Sequence, residues 1–463
     1  MSHCTSKWLP IAVISMLLLC SLPLRSEELQ WKIMGHLLEK RFLFRSAVIG
    51  DEKVLVFGGF GEQLGEQSSR RRGSVLQTCE IIDVKKRQVY KTGSLNVPCA
   101  KTAYIQTADS NIIVVSGLNT DSTTTRVCEM YDRKSRTWKE IGSLQIGRHD
   151  HSVALLDSDK ILVVGGYAEV NYGAITAEAE IFNIRTGKSK VVQDFPVKIS
   201  GGITVESKVW KKGKHLFLGG RTGGGGAYRL SGVYSFDNLS NQWKYEGEMP
   251  IASHGFGVCT LLDNQATLSV GGGRSYYFQT NNYPRNNTLK AICLETEQGM
   301  VVAGNSLIAR TNCGVQSWNS EISLIVGGTD NYEVYNQTEW FDRRTGMCSY
   351  GPPLREARRT MALHSFPRYD KHGKQVSACA VVLGGLGAND VTLGSIEILE
   401  ANNPTFVQTP SEEISVLRWK KIFSSAQFIG ILSAFIIALI LSLIYLLYQV
   451  VQIRRKSRNI LRN

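Results

Sequence analysis

The chain has no two cysteines spaced as Cys-x-x-Cys, although it carries 10 of them in 463 residues, and this removes the commonest zinc-site pattern. Its glycine-rich stretch Gly219-Gly-Arg-Thr-Gly-Gly-Gly-Gly226 is followed by no Gly-Lys-Ser or Gly-Lys-Thr and no helical pattern, so it is not a phosphate-binding loop. Acidic residues are missing from Arg418 to the end, where eight basic ones stand. Taking those eight, with Lys7 and Arg25, from the net charge of +13 leaves +3 for everything between. The basic balance therefore belongs to the two ends, and nucleic-acid binding is not indicated. Charge is missing altogether from Ile422 to Ile453. The apolar centre of that stretch, Phe428 to Tyr448, rises about 31 Å as a helix, enough for one bilayer crossing.

The flanks of that segment orient it. Arg454, Arg455, Lys456, Arg458 and Arg462 follow it, against Arg418, Lys420 and Lys421 before it, which keeps the tail cytoplasmic. At the other end Lys7, an apolar stretch from Trp8 to Leu22, and Ser26 before Glu27-Glu28 match a secretory signal peptide. The expected organisation is a signal peptide at 1–26, a folded domain at 27–402, a linker at 403–421, a transmembrane helix at 422–453 and a basic tail at 454–463. This describes a single-pass type I protein of the cell surface or a secretory-pathway membrane, with its folded part outside the cytosol. The tail is too short for a catalytic domain, but long enough to dock a partner or anionic lipid.

Between the flanks, a doublet of small residues closes a hydrophobic run seven times: Gly58-Gly59, Ser116-Gly117, Gly165-Gly166, Gly219-Gly220, Gly271-Gly272, Gly327-Gly328 and Gly384-Gly385. The intervals are 58, 49, 54, 52, 56 and 57 residues, a period that marks a propeller rather than one globular core. The runs, such as Val54-Leu-Val-Phe57, Ile112-Ile-Val-Val115 and Ile161-Leu-Val-Val164, read as buried strands. Glycine after each run lets the backbone bend sharply and approach its neighbours. Each run leads on to a strand ending in an aromatic and a turn, as in Tyr131-Asp-Arg-Lys-Ser-Arg-Thr-Trp138, Phe236-Asp-Asn-Leu-Ser-Asn-Gln-Trp243 and Phe341-Asp-Arg-Arg-Thr-Gly346.

This pattern resembles the Kelch repeat, with its Gly-Gly after the second strand, Tyr/Phe-Asp in the third and Trp in the fourth, over roughly residues 29–402. The fold expected is all-β, a seven-bladed Kelch-type propeller of the galactose-oxidase-like superfamily, followed by one C-terminal transmembrane helix. Leu29-Gln-Trp-Lys-Ile-Met34 precedes the first blade and the last blade stops after Ser395-Ile-Glu-Ile-Leu399, so the N-terminal strand is expected to complete the C-terminal blade and cover two open edges.

Eight cysteines remain outside the signal segment, an even number that permits disulfides. Cys79, Cys128 and Cys293 fall four residues before Asp83, Asp132 and Glu297, where other blades carry small side chains, so packing explains them equally well. Asn238, Asn286 and Asn336 open Asn-x-Ser/Thr sequons and are candidate glycosylation sites.

In propellers of the resembled kind, the loops leading into the innermost strand ring the central channel. The resemblance places Arg45, Lys101, Arg148, His149, His151, His254, Arg310, Arg358 and Arg359 there. A ring of cations suits an acidic peptide, a carboxylate sugar or a phosphate. The same residues also read as part of the repeat's own loop hydrogen bonding. Read as a strand, Arg148-His-Asp-His151 turns both histidines to one face and Asp150 to the other, so it does not form a three-ligand metal site by itself. No metal or cofactor is expected. The copper set of galactose-oxidase-like enzymes, two Tyr and two His with a Tyr-Cys cross-link, finds no matching positions, and sialic-acid-mutarotase-like propellers are smaller and soluble. The function expected is non-catalytic binding of a protein or glycan ligand; the alternative is a surface-tethered carbohydrate-active enzyme of the oxidase or mutarotase kind.

Overall fold

The hydrophobic runs become the second strands of seven four-stranded antiparallel sheets, among them Lys53–Phe57, Ile112–Leu118, Lys160–Val164 and Ile322–Val326. They read as uninterrupted because both faces of each sheet are covered. Val54 and Val56 pack with Val381 and Leu383 of one neighbour, while Leu55 and Phe57 pack with Ile112 and Val114 of the other. The period of two along a strand thus serves two interfaces. This computed structural model describes residues 29–402 apart from 63–72, 122, 169–173, 224–227, 263–265 and 274–287. No α-helix occurs among the described residues, and no helix there is long and apolar enough to cross a membrane. The expected signal segment 1–26 and span 422–453, and the sequon at Asn286, lie outside the described residues.

Six blades are each built from a single stretch of chain, and the seventh is shared between the chain ends. Ala362–Tyr369, Gln375–Leu386 and Thr392–Asn402 are joined by Lys32–His36, which pairs antiparallel with Thr392–Asn402. The N-terminal closure expected from sequence is present, with its strand starting three residues later than Leu29. Trp31, just before it, is fully buried, and its carbonyl accepts a 3.0 Å bond from Arg355 Nε.

The doublets are the joints between blades. The first glycine is left-handed, at φ 61° for Gly58 and 63° for Gly165, a region costly for side chains. A Cβ on Gly58 would also lie 2.3 Å from the Cys99 carbonyl of the next blade. The second glycine donates its N–H across the same joint: Gly59 to Cys99 O at 2.9 Å, Gly166 to Ile199 O at 2.8 Å, Gly272 to Arg310 O at 2.8 Å. Where Ser116 replaces glycine, it keeps the left-handed conformation, and its Oγ bonds both the N–H and the carbonyl of Arg148.

The eight propeller cysteines are unpaired, and six of them are buried. The register aligns Ile292, not Cys293, with Cys79 and Cys128, because Val270 pairs with Ile292 as Phe57 pairs with Cys79. Cys293 follows that position by one residue.

The ring has two unlike faces. One carries the segments leading into the first strands and the loops after the doublets; the other carries the hairpins linking first to second and third to fourth strands. Lys32–His36 begins, and Thr392–Asn402 ends, at the hairpin face. The first and last strands of the propeller therefore have their outer ends at that face.

Candidate functional site

Each first strand is preceded by a four-residue lead-in: Arg41–Phe44, Cys99–Thr102, Arg148–His151, Ile199–Gly202, Ser253–Phe256, Arg310–Cys313 and Arg358–Met361. The third residue is left-handed in all seven, with φ between 48° and 63° at Leu43, Lys101, Asp150, Gly201, Gly255, Asn312 and Thr360. Such a conformation costs a residue with a Cβ roughly 1 kcal/mol or more. Hydrogen bonds offset it. The N–H of Asp150 reaches Lys101 O at 3.1 Å, Gly201 reaches Asp150 O at 2.7 Å, and Asn312 reaches Gly255 O at 2.7 Å, so the third residues link neighbouring blades around the channel mouth.

This kink corrects the strand reading of Arg148-His-Asp-His151. The two-residue strand Arg148–His149 stops at Asp150, whose φ is 52°, and the next begins at Ser152. His149 stacks on Tyr167, with ring centroids 5.1 Å apart, whereas His151 is buried.

The first lead-in residue explains the arginines. Arg148 is fully buried; its Nη1 donates to Gly165 O at 2.9 Å and Glu178 O at 2.8 Å, and its Nη2 to Glu180 Oε1 at 2.8 Å. Arg310 makes the same set with Gly327 O, Gln337 O and Glu339, and Arg358 with Gly384 O, Ser395 O and Glu397. Arg41 repeats it with Gly58 O, Thr78 O and Glu80. Each guanidinium is closed to solvent and tied to its own blade. Arg148, Arg310 and Arg358 thus leave the ligand-facing ring in which the sequence placed them, and the loop-bonding reading describes them. Arg45 stands half-buried on the first strand of its blade, with Nε donating to Thr102 O at 2.7 Å. Arg359 is 25% exposed and pairs with Asp390 at 2.5 Å.

Lys101, His149 and His254 do reach the mouth, and they meet partners that sequence reasoning passed over. Asp150 is the centre: Lys101 Nζ lies 2.9 Å from its carboxylate, His149 Nδ1 3.5 Å and Arg221 Nη2 3.6 Å. Tyr167 is flanked by the His149 ring and by the Arg221 guanidinium, 5.7 Å from its centroid. Burial works to raise the Asp150 pKa, but the adjacent His149 ring and the Lys101 charge overcome it and hold the carboxyl well below its usual range. His254 is pushed down to about 3 by burial, then by the charges of Arg229 and Arg221. It is neutral at pH 7. Lys101 and Arg221 therefore share one carboxylate, so in the ion pairs among the described residues here two cations face a single anion. Lys101 and Arg221 keep 20% and 28% of their side chains exposed, and the buried Arg221 Nε has no hydrogen-bond partner among the described residues.

Tyr167 and Arg221 directly follow the doublets Gly165-Gly166 and Gly219-Gly220. That position bridges to the second lead-in residue, as Tyr167 does to His149 and Arg221 to Ser200. The residue after each doublet was the available signal.

No protein-family model matches the chain, and no curated protein matches its sequence. Solved structures do match. A fungal alcohol oxidase of the AA5 family, in complex with copper, aligns at TM-score 0.58 and 17% identity over 80% of this chain and 76% of that one. The structure of YjhT aligns at TM-score 0.48 and 14% identity over 69% of this chain and all of that one. The seven-bladed propeller is the fold shared with that fungal oxidase. At these identities the likeness concerns the scaffold alone. Among the described residues no three His, Cys, Asp or Glu converge to hold a metal ion.

Proposed function

We propose that this protein is a membrane-tethered propeller that binds an anionic protein or glycan ligand outside the cytosol, without catalysis, at the channel mouth around Asp150. The observation that carries the reading is the unbalanced charge there. Asp150 neutralises one cation and lies against two, Lys101 and Arg221, leaving exposed donors for an incoming carboxylate or phosphate. The chain leaves the propeller on the opposite face, so a tether after Asn402 does not begin at the site. Unpaired cysteines are compatible with an oxidising compartment, because burial pushes Cys79, Cys259 and Cys379 up to about 12 and withholds the reactive thiolate.

The test is binding of a polyglutamate peptide, a phosphopeptide and a glucuronate-ended glycan, each beside an uncharged analogue, to the full-length protein in lipid nanodiscs. An acidic probe is expected to bind, to weaken with salt, and to lose about tenfold or more with Lys101→Ala or Arg221→Ala, since a charge-assisted hydrogen bond is worth ~1.5–3 kcal/mol. Equal binding of the uncharged analogues, or no effect of either substitution, refutes the reading.

A second reading, a surface-tethered carbohydrate-active enzyme, draws on the His149–Asp150 pair as a proton-transfer dyad. It is the weaker one, because a carboxylate held this far below its usual range is a poor general base. Turnover of a sugar substrate that disappears with Asp150→Asn would establish it.

A further inference from the structure

A cavity of about 530 Å³ opens on the hairpin face, between blades 3 and 4 and away from the channel mouth. Its origin lies in one departure from the repeat. The turn between third and fourth strands has the same four-residue form in five blades, with a left-handed fourth residue at Arg87, Arg136, Gly187, Asn241 and Gly346. Its first residue is Val84, Arg133, Ile184, Asn238 or Arg343. Val84 is buried against Phe366 and Val381 of the preceding blade, Ile184 packs in the core shared with the preceding blade, and Arg133 bonds the Ile49 carbonyl of the preceding blade. These side chains plug the joint. In blade 4 the position is Asn238, short and exposed, and the space stays open.

What remains is an apolar floor of Leu156, Phe217, Phe236 and Trp243 under a polar rim that includes Asp237, Gln242 and Lys244. The Trp243 indole N–H is already taken by Gln193 O at 2.9 Å, so Trp243 offers ring surface rather than a donor. An oily ligand would strip water from the rim without replacing it. A strongly charged ligand would meet the Asp237 carboxylate and the Lys214 and Lys244 ammoniums in one lining, so neither sign is purely favoured. A neutral sugar ring meets both demands, because its C–H face packs on aromatic rings while its hydroxyls donate and accept at the rim. The volume lies within the ~300–1,000 Å³ range of small-molecule sites. We propose that this cavity binds the ring of a neutral pyranose. The ring has two conceivable sources, a free or presented sugar and a glycan attached to Asn238, which opens the sequon Asn238-Leu239-Ser240.

The experiment is saturation-transfer NMR on the full-length protein in lipid nanodiscs, with the methyl glycosides of glucose, galactose, mannose and N-acetylglucosamine. In protein from a host that does not N-glycosylate, at least one probe is expected to receive saturation. The signal should vanish with Asn238→Ile, which copies blade 3, and with Asn238→Arg, which copies blade 2, yet persist with Lys101→Ala at the channel mouth. Protein carrying a glycan on Asn238 should lose the probe signal if its own sugar fills the cavity, and keep it if the site serves free sugar. Either result supports a pyranose site. No saturation of any probe in the unglycosylated protein, or a signal surviving both Asn238 substitutions, overturns the proposal.

Discussion

Replacing Arg148 by Met tests the reassignment of the lead-in arginines most directly. The substitution keeps an unbranched apolar side chain but removes the guanidinium that joins Gly165 O, Glu178 O and Glu180. Glu180, fully buried, would keep only the Gln145 N–H at 2.8 Å and the Ser189 hydroxyl at 2.6 Å. Leaving one partner of a buried ion pair uncompensated costs about 3–5 kcal/mol. An exposed arginine serving a ligand would cost about 0–1 kcal/mol. These ranges do not overlap. Urea unfolding followed by tryptophan fluorescence separates them, with the loss read from the midpoint at an unchanged slope.

The double variant Arg148→Met/Glu180→Met sharpens the test, because it removes both charges. Blade 4 lives without the pair, with Ile199 and Tyr234 at the corresponding positions. The double variant should therefore be more stable than Arg148→Met alone, with a coupling of about 2 kcal/mol or more between the sites. A loss under about 1 kcal/mol for Arg148→Met, or simple additivity in the double variant, refutes the buried-joint account and returns Arg148 to the channel ring.

Acidification supplies a second expectation. Burial, then the charges of Arg148 and His149, push His151 down to about 3, against about 6.5 for an unperturbed imidazole. Between these values the unfolded chain binds a proton that the folded one does not, so stability falls as pH drops from about 6.5 towards 3, by on the order of 1.4 kcal/mol per pH unit for this histidine. His151→Phe should flatten the dependence by about one proton, and an unchanged slope in urea titrations would refute the assignment. The thiols give a third: burial raises Cys259 and Cys379 to about 12 and Cys293 to about 11. An aromatic disulfide reagent at pH 8 should therefore react slowly with the native propeller and reach all eight of its cysteines only in denaturant. Fast labelling of a buried thiol in the native state would contradict the packing.

What the sequence displayed was the part of the molecule that repeats. Seven doublets were visible because left-handed glycine against a neighbouring carbonyl tolerates almost no substitute, and the closing strand was visible because the last blade lacked one. The arginines were misplaced because charge suggests a ligand when each residue is read alone. Read as an internal family, they come with a partner: Arg41, Arg148, Arg310 and Arg358 accompany Glu80, Glu180, Glu339 and Glu397, while blades with Ile199 or Ser253 carry Tyr234 or Cys293 opposite. Blade 2 shows the rule under strain. It keeps Glu129 but has Cys99 in place of arginine, and Asn96 takes over, its Nδ2 reaching Glu129 at 2.7 Å. A structural carboxylate thus had a readable signature in one chain. The third lead-in residue had none, because Gly201 and Gly255 announce a left-handed backbone while Leu43 and Lys101 conceal it.

The sites proposed here stand where the repeat is broken rather than where it holds. A propeller with identical blades would place the same side chain after every doublet and the same plug in every turn, leaving neither an unbalanced charge nor an open joint. Blade 4 departs at each point: Ile199 and Tyr234 replace the ion pair, Arg221 follows the doublet, and Asn238 replaces the plug. Arg221 reaches towards Asp150 of the preceding blade, so its effect requires the neighbour's kinked lead-in as well as its own irregularity. Asn238 opens a cavity on the opposite face, at the other end of the blade's strands. The two sites share no residue. Substitutions at one should therefore leave binding at the other unchanged, which makes each the control for its counterpart.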